Sequence, residues 1–244
     1  DEAVAIARSF QSSVAVKPLD GNQGRGISLN IHSEPEIREA FRLANKISKT
    51  VVIEEFFTGR DYRVLVVNGK MVAASERIPP SVIGDGVKDI NELIQIENKN
   101  PKRGLSHEKP MTRIHLDEAL ENVLRKNSLA LSTVPAKGVK IPLRETANLS
   151  TGGSAGDVTD LVHPYIRAVC ERAARIVGLD ICGIDLIIPD ITQTLATQKG
   201  GIIEINAGPG IRMHHYPTSG QARPVGNAIV DMMFPNGSSG RIPI

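Results

Sequence analysis

Two apolar runs, each interrupted by acidic or amide side chains, constrain this chain more than any other feature. Gly201-Ile202-Ile203-Glu204-Ile205-Asn206 has the apolar residues of a buried strand. Glu204 and Asn206 stand two apart, so an extended backbone points both side chains to one face. Upstream, Cys182-Gly183-Ile184-Asp185-Leu186-Ile187-Ile188 is a second apolar run with a single charge, Asp185. The polar, turn-rich stretch Pro189 to Gly200 between them allows the two strands to lie side by side, which brings Asp185 to the same place. Burying carboxylates and a carboxamide in an apolar strand is costly without a partner. A hard cation is the usual partner for such oxygens, with phosphates completing its shell. Taken singly, each residue could equally cap a strand end or accept from a backbone N–H.

Composition narrows the classes. At 244 residues the chain holds one large domain or two small ones, with ample core. A net charge of +2 calls for neither nucleic acid nor a membrane surface. Aromatics make up 3% of the chain and Trp is absent, which speaks against base-stacking platforms. Cys170 and Cys182 both sit in apolar settings and read as buried thiols of a reducing, cytoplasmic protein. No apolar run reaches the length of a bilayer span, and the acidic start lacks a signal peptide's basic end. The chain begins at Asp1 and reads as a piece excised from a longer protein.

Along the chain, Asp1 to Phe10 is expected to be helical and Ser13 to Lys17 a strand. Asp20-Gly21-Asn22-Gln23-Gly24-Arg25-Gly26 then leads into another strand, Ile27 to Ile31. A strand–glycine loop–strand unit offers bare N–H groups to an anion. Lys17 beside it adds a cation suited to a polyphosphate. Neither the Lys-Ser/Thr ending of a P-loop nor a following helix is present. Ser33 to Glu36 forms a capping box for a helix to about Ser48, and Thr50 to Glu54 is a strand. The stretch from Pro79 to Leu143 has looser periodicity, a short helix capped at Asp89, another from Asp117 to Leu131, and the look of an insertion. The small-residue run Thr146 to Gly156 is expected to be a loop, either a connector or a backbone cradle for a carboxylate or phosphate. Pro164 to Gly178 is an amphipathic helix stopped by its glycine. Pro224 to Phe234 is a further helix, and Pro235 to Gly240 resembles a linker. His214 and His215 in an extended segment would point opposite ways, so a shared metal is not expected there.

Between these lies a hairpin, Asp61 to Val67 and Met71 to Ile78, joined at Asn68-Gly69 and carrying Asp61, Arg63 and Arg77. A two-residue Asn-Gly turn pairs Val67 with Lys70 and puts the two arginines on opposite faces. A three-residue loop pairs Val67 with Met71, Asp61 with Arg77 and Arg63 with Ser75, so that all three charges share a face. The residues alone permit both.

The order of Lys17, the glycine hairpin, the Glu54-Glu55 linker and the Asp185…Glu204-Ile-Asn206 strands resembles ATP-grasp carboxylate–amine ligases. More narrowly, the chain resembles the ATP-grasp domain of the cyanophycin synthetase family. The similar runs include Lys17 to Gly26, Asp61 to Val67, Gly84 to Val87, His107 to Pro110 and Thr146 to Gly153. They continue through Glu204 to Gly210, Arg212 to His214, Arg223 to Gly226 and Gly240 to Ile244. Gln23 and Ile211 depart from the family's His and Phe.

The resemblance implies an α+β protein with a partial ATP-grasp fold. Residues 1–57 would be an incomplete lid subdomain and 58–244 a core subdomain, with a helical insertion at about 80–145. It implies ATP and Mg²⁺ as cofactors. Lys17, Gly24, Gly26, Glu54, Glu55, Phe57 and Asp61 would bind ATP, with Asp61 at the ribose. Asp185, Glu204 and Asn206 would hold the metal, and Lys17 and Arg77 would be catalytic. Arg63, Asn148, Ser150, Gly152, Gly153 and Arg212 would bind substrate. The implied reaction adds L-aspartate to the poly-aspartate backbone of a cyanophycin primer through an acyl phosphate. The full-length protein is then expected to be a homo-oligomer with a Mur-ligase-like domain C-terminal to this one, and the piece alone is expected to be inactive. The rival readings are a glutathione-synthetase-type ligase and a non-catalytic nucleotide-binding module. With Arg77 required at the acyl phosphate, the three-residue hairpin loop Asn68-Gly69-Lys70 is the expected register.

Overall fold

The structure is a computed structural model and describes residues 1–20, 26–106 and 108–235. The chain divides into two compact units, Asp1–Thr58 and Gly59–Ile244.

The smaller unit contains α1 (Glu2–Ser9), β1 (Val14–Pro18), β2 (Ser28–Ile31), α2 (Glu34–Asn45) and β3 (Val51–Glu55). Its sheet has the order β2-β1-β3, with both pairings antiparallel. Val14 and Val16 alternate toward a core made with Val4, Ala7, Ile37, Ala40 and Ala44 of the two helices. That leaves Lys17, one position on, facing the other side. α2 starts where its capping box requires, with the Ser33 N–H donating to Glu36 Oε2 at 2.9 Å.

The larger unit follows with β4 (Arg60–Val67), β5 (Lys70–Ile78), β6 (Ser81–Ile83), α3 (Ile90–Glu97), β7 (Arg103–Gly104), β8 (Met111–Thr112), α4 (Glu118–Lys126) and β9 (Lys140–Pro142). It continues with β10 (Ser154–Asp157), α5 (Pro164–Val177), β11 (Ile181–Ile188), β12 (Gly201–Asn206), α6 (Arg212–His215) and α7 (Val225–Met233). Five strands form one antiparallel sheet in the order β10-β5-β4-β11-β12. The two apolar runs that dominate the sequence are therefore neighbours in the sheet, as expected.

One face of this sheet is apolar. Tyr62, Val64 and Val66 of β4 and Cys182, Ile184, Leu186 and Ile188 of β11 pack there with Ile166, Cys170 and Ala174 of α5. Both cysteines are free and buried, and burial pushes the Cys170 thiol up to about 12. α5 ends at Gly178 in a left-handed conformation with φ 75°. The region expected to be an insertion contains a separate core cluster, with Ile90, Leu93 and Ile94 of α3, Leu120 and Leu124 of α4, and Ile141 of β9.

The hairpin corrects the expected loop. Val67 pairs with Lys70, so Asn68-Gly69 is a two-residue turn, with φ of 50° and 68° at those residues. Positive φ at both central positions is what the Asn-Gly pair supplies in a tight hairpin. The expected charge pairing nevertheless survives. Leu65 faces Ala73 while Val66 faces Met71, so Val72 is an extra residue bulged out of β5. The bulge restores the register that the short turn would lose. Asp61 faces Arg77 and Arg63 faces Ser75.

Three further expectations change. Ser154–Asp157, read as the end of a loop, is the edge strand β10. α4 ends at Lys126 rather than running to Leu131, because Ser128 takes φ 57° and breaks the helix. His214 and His215 lie in the short helix α6 rather than in an extended segment. Among the described residues, no helix is long and apolar enough to cross a membrane. The glycine-loop residues Gly21 to Arg25 and the tail from Asn236 lie outside the described residues, as does His107.

Ile184 is fully buried at the centre of the main core. Ile184→Ala is expected to lower the unfolding free energy by about 2–5 kcal/mol, read by urea denaturation as a lower midpoint at unchanged slope.

Candidate active site

The second face of the five-stranded sheet is polar along its middle. Because β4, β5, β11 and β12 are in register, Asp61 and Arg63, Ser75 and Arg77, Asp185, and Glu204 and Asn206 all emerge on it. Asp185 is the hub. It stands directly opposite Arg63 on β4 and Glu204 on β12. Arg63 grips it with two donors, Nε to Oδ1 and Nη2 to Oδ2, the latter at 3.0 Å. Arg77 reaches the same carboxylate with Nη2 at 3.2 Å from Oδ2, and holds Asp61 Oδ1 with Nε at 2.8 Å and Nη2 at 2.6 Å.

This is a charge cluster inside the protein. Asp185 is 3% exposed, and Arg63 and Arg77 are 9% each. Burial pushes the Asp61 carboxyl above its usual value, partly offset by Arg77. Burial alone would lower the Arg77 guanidinium, yet the Asp61 and Asp185 carboxylates hold it above its ordinary value. Room for Arg63 comes from Gly183. A Cβ at that glycine would lie 2.9 Å from Arg63 Cδ and 2.7 Å from Pro209 Cβ.

Glu204, by contrast, is exposed, and Asn206 is partly buried with an Nδ2 that has no hydrogen-bond partner among the described residues. Two carboxylates and a carboxamide on one face of adjacent strands are the hard oxygen donors that Mg²⁺ prefers. Asn206 would offer its Oδ1 to the ion, since its unpartnered Nδ2 is a hydrogen-bond donor. The residues therefore fit the ion, although both Asp185 oxygens are engaged by arginine. Among the described residues, no three His, Cys, Asp or Glu side chains cluster as metal ligands.

His214 joins this face from α6. It is 1% exposed, its Nδ1 lies 2.9 Å from Ser75 Oγ, and its Nε2 is buried without a partner among the described residues. Burial, helped by the positive charge of Arg63, pushes it down to about 4. In the sequence, this histidine stands out only as a candidate metal ligand. The small side chain of Ser75, on the same face as Arg63, was the available sign of a partner at that point.

The remaining expected residues fall in separate places. Lys17 Nζ pairs with Glu54 Oε1 at 2.7 Å within the smaller unit, where Ser12 Oγ donates to Glu55 Oε1 at 3.1 Å and Phe57 is half-buried. Gly26 has φ 70°, and Gly24 lies outside the described residues. Asn148, Ser150, Gly152 and Gly153 form a tight turn leading into β10, in which the Gly153 N–H donates to Asn148 O at 3.1 Å. Arg212 does not join the central cluster by any hydrogen bond. Its Nη1 donates to Lys109 O at 2.8 Å and Ser106 O at 3.3 Å.

Residues 2–108 match the family described as prokaryotic glutathione synthetase, ATP-grasp domain. The chain is 49% identical over 244 residues to a cyanophycin synthetase of Geminocystis herdmanii, covering 99% of this chain and 28% of that protein. It is 37% identical over 237 residues to the glutathione biosynthesis bifunctional protein GshAB of Clostridium perfringens, covering 96% of this chain and 30% of that one. Among solved structures, a bifunctional glutathione synthetase from Pasteurella multocida superposes with a TM-score of 0.66 at 30% identity, covering 96% of this chain and 32% of that chain. The chain thus spans less than a third of the length of these relatives.

Two outcomes check the cluster. Asp185→Asn strips two buried guanidiniums of their shared carboxylate and is expected to cost about 3–5 kcal/mol of stability, read by chemical denaturation. The second is a pH dependence. The unfolded chain protonates His214 near 6.5, whereas the folded chain refuses the proton until about 4. The unfolded state therefore binds more protons between these values, and stability falls as pH drops through that window. The expected loss is about 3 kcal/mol, and His214→Gln is expected to flatten that part of the stability–pH curve.

Proposed function

We propose that this chain carries an ATP-grasp domain of the carboxylate–amine ligase family and that it forms an amide bond at the expense of ATP. In this reading ATP phosphorylates a substrate carboxylate, and an incoming amine then displaces phosphate from the acyl phosphate. The observation that carries the reading is the polar stripe on the central sheet, where Asp185, Glu204 and Asn206 adjoin Arg63 and Arg77.

Each group has a task. Asp185, Glu204 and Asn206 would hold Mg²⁺, which neutralises phosphate charge when bound. Asp61 binds the ribose, and Glu54, Glu55 and Phe57 contact the adenine. Lys17 with the backbone of Gly24 and Gly26 holds phosphates, as befits the lid subdomain proposed for residues 1–57. Residues 58–244 are then the core subdomain. Arg77 donates to the oxygens on which charge builds up in the tetrahedral intermediate, where one donor is worth roughly 3–4 kcal/mol. Arg63, Arg212 and the turn bearing Asn148, Ser150, Gly152 and Gly153 orient substrate carboxylates.

The amine donor is L-aspartate and the acceptor a poly-aspartate primer. The greater identity to cyanophycin synthetases, 49% against 37% for the glutathione-forming relative, supports this over the second reading, a glutathione-synthetase-type ligase. In the full-length protein this domain works beside a Mur-ligase-like partner in a homo-oligomer. The two buried free thiols accord with the cytoplasm.

The test is phosphate release by the full-length protein. Release is expected to require both aspartate and the primer. Release with cysteine, glycine or glutamate as sole amino acid would favour the second reading. Because Glu204 is exposed, Glu204→Ala is expected to leave the melting temperature nearly unchanged. It should nonetheless lower turnover by about 100-fold or more. Unaltered Mg²⁺-dependent turnover in that variant would remove Glu204 from the site.

A further inference from the structure

One buried guanidinium joins the inserted region to the turn at Asn148–Gly153. Arg103, on β7, is 7% exposed. Its Nε donates to Glu97 Oε1 at 2.9 Å, and its Nη1 donates to both Thr112 O at 2.7 Å and Gly152 O at 2.8 Å. These partners lie on α3, on β8 and in the turn before β10. Two neighbouring elements and a turn 49 residues away thus meet on one planar side chain.

The turn has little freedom to settle elsewhere. Gly152 takes φ 100°, and a Cβ there would lie 2.8 Å from Ile114 Cγ1, in the insertion's core. A Cβ at Gly153 would lie 2.8 Å from Asn148 O. Nearby in sequence, the Ser106 and Lys109 carbonyls each accept from Arg212 Nη1. Arg103 also lines a cavity of about 280 Å³ together with Lys102, Asn100 and Ser154.

We propose that Arg103 is a positioning residue through which the inserted region sets the affinity of the Asn148–Gly153 turn for the acidic substrate. The inference rests on that turn being a substrate subsite, as proposed above. The physical reason is geometric. Guanidinium holds acceptors in fixed directions within one plane, whereas lysine offers a single charged point on a flexible stem. Lysine at position 103 cannot span Glu97, Thr112 and Gly152 together. Misplacing a binding group by about 1 Å can cost on the order of 100-fold in rate. Freeing the Gly152 carbonyl is therefore felt at the substrate and not at the nucleotide.

The test is steady-state phosphate release by the full-length protein, with ATP and the poly-aspartate primer varied separately. Arg103→Met is expected to raise the KM for primer by about tenfold or more while leaving the KM for ATP unchanged. Arg103→Lys should give an intermediate rise. Leu124→Ala, at a core residue that is not a hydrogen-bond partner of Arg103, is expected to lower the melting temperature without moving either KM. A folded Arg103→Met protein with an unchanged primer KM, or with equal rises for both substrates, overturns the proposal. Should Arg103→Met fail to fold, Glu97→Gln removes only the carboxylate partner and is expected to raise the primer KM by a smaller factor. No rise in that variant also overturns the proposal. Asn148→Ala separates the two levels of the argument. An unchanged primer KM there overturns the substrate role of the turn itself. A raised value there beside a normal one in Arg103→Met overturns only the role of Arg103.

Discussion

The grip of two arginines on one buried carboxylate governs this molecule. Asp185 sits at the middle of an otherwise apolar strand, and a lone carboxylate there would be expensive. Arg63 supplies two donors and Arg77 one. The arginines in turn would be uncompensated without Asp185 and Asp61. Much of the surrounding sequence serves this arrangement. Gly183 leaves space for the Arg63 side chain, and the opposite face of the same strands is packed with Val64, Ile184 and Leu186 against α5. The sheet can therefore carry charge on one side because the other side supplies the apolar burial.

In the proposed function this cluster receives a polyphosphate and its cation. Asp61, Asp185 and Glu204 exceed Arg63 and Arg77 by one negative charge on that face. In the proposed reaction, the hold of Asp61 and Asp185 on the arginines would limit reorganisation as charge develops on a reacting carboxylate. A bulge of one residue, Val72, decides whether this works. Without it, the Asn68-Gly69 turn would send Arg77 to the apolar face.

Much of this was legible in the sequence. The isolated charge in Ile184-Asp185-Leu186 and the alternation in Glu204-Ile205-Asn206 announced both the strands and their shared face. Gly178, Asp89 and Asp117 marked helix ends through backbone chemistry that depends only on local residues. The bulge was not legible, because Val72 lies in a run, Met71-Val72-Ala73-Ala74, whose side chains fit either face. The charge pairing was right for a reason other than the loop length assigned to it. β10 escaped because Ser154-Ala155-Gly156-Asp157 has no apolar alternation and becomes a strand only by pairing with β5. The roles of His214 and Arg103 depend on Ser75 and Gly152, residues 139 and 49 positions away, and no local pattern encodes such pairs.

The central claim is that the polar stripe is the face that receives metal and nucleotide. Replacing Mg²⁺ with paramagnetic Mn²⁺ in the presence of ATP tests it directly, because the ion broadens NMR signals of nearby nuclei. The account predicts strong broadening of the Asn206 side-chain amide and the backbone amides of Gly183, Asp185 and Glu204. The signals of Ile166 and Cys170, on the helix across the sheet, should change far less. Sharp signals along the stripe under saturating Mn²⁺ and ATP, or broadening centred elsewhere in the molecule, would contradict it.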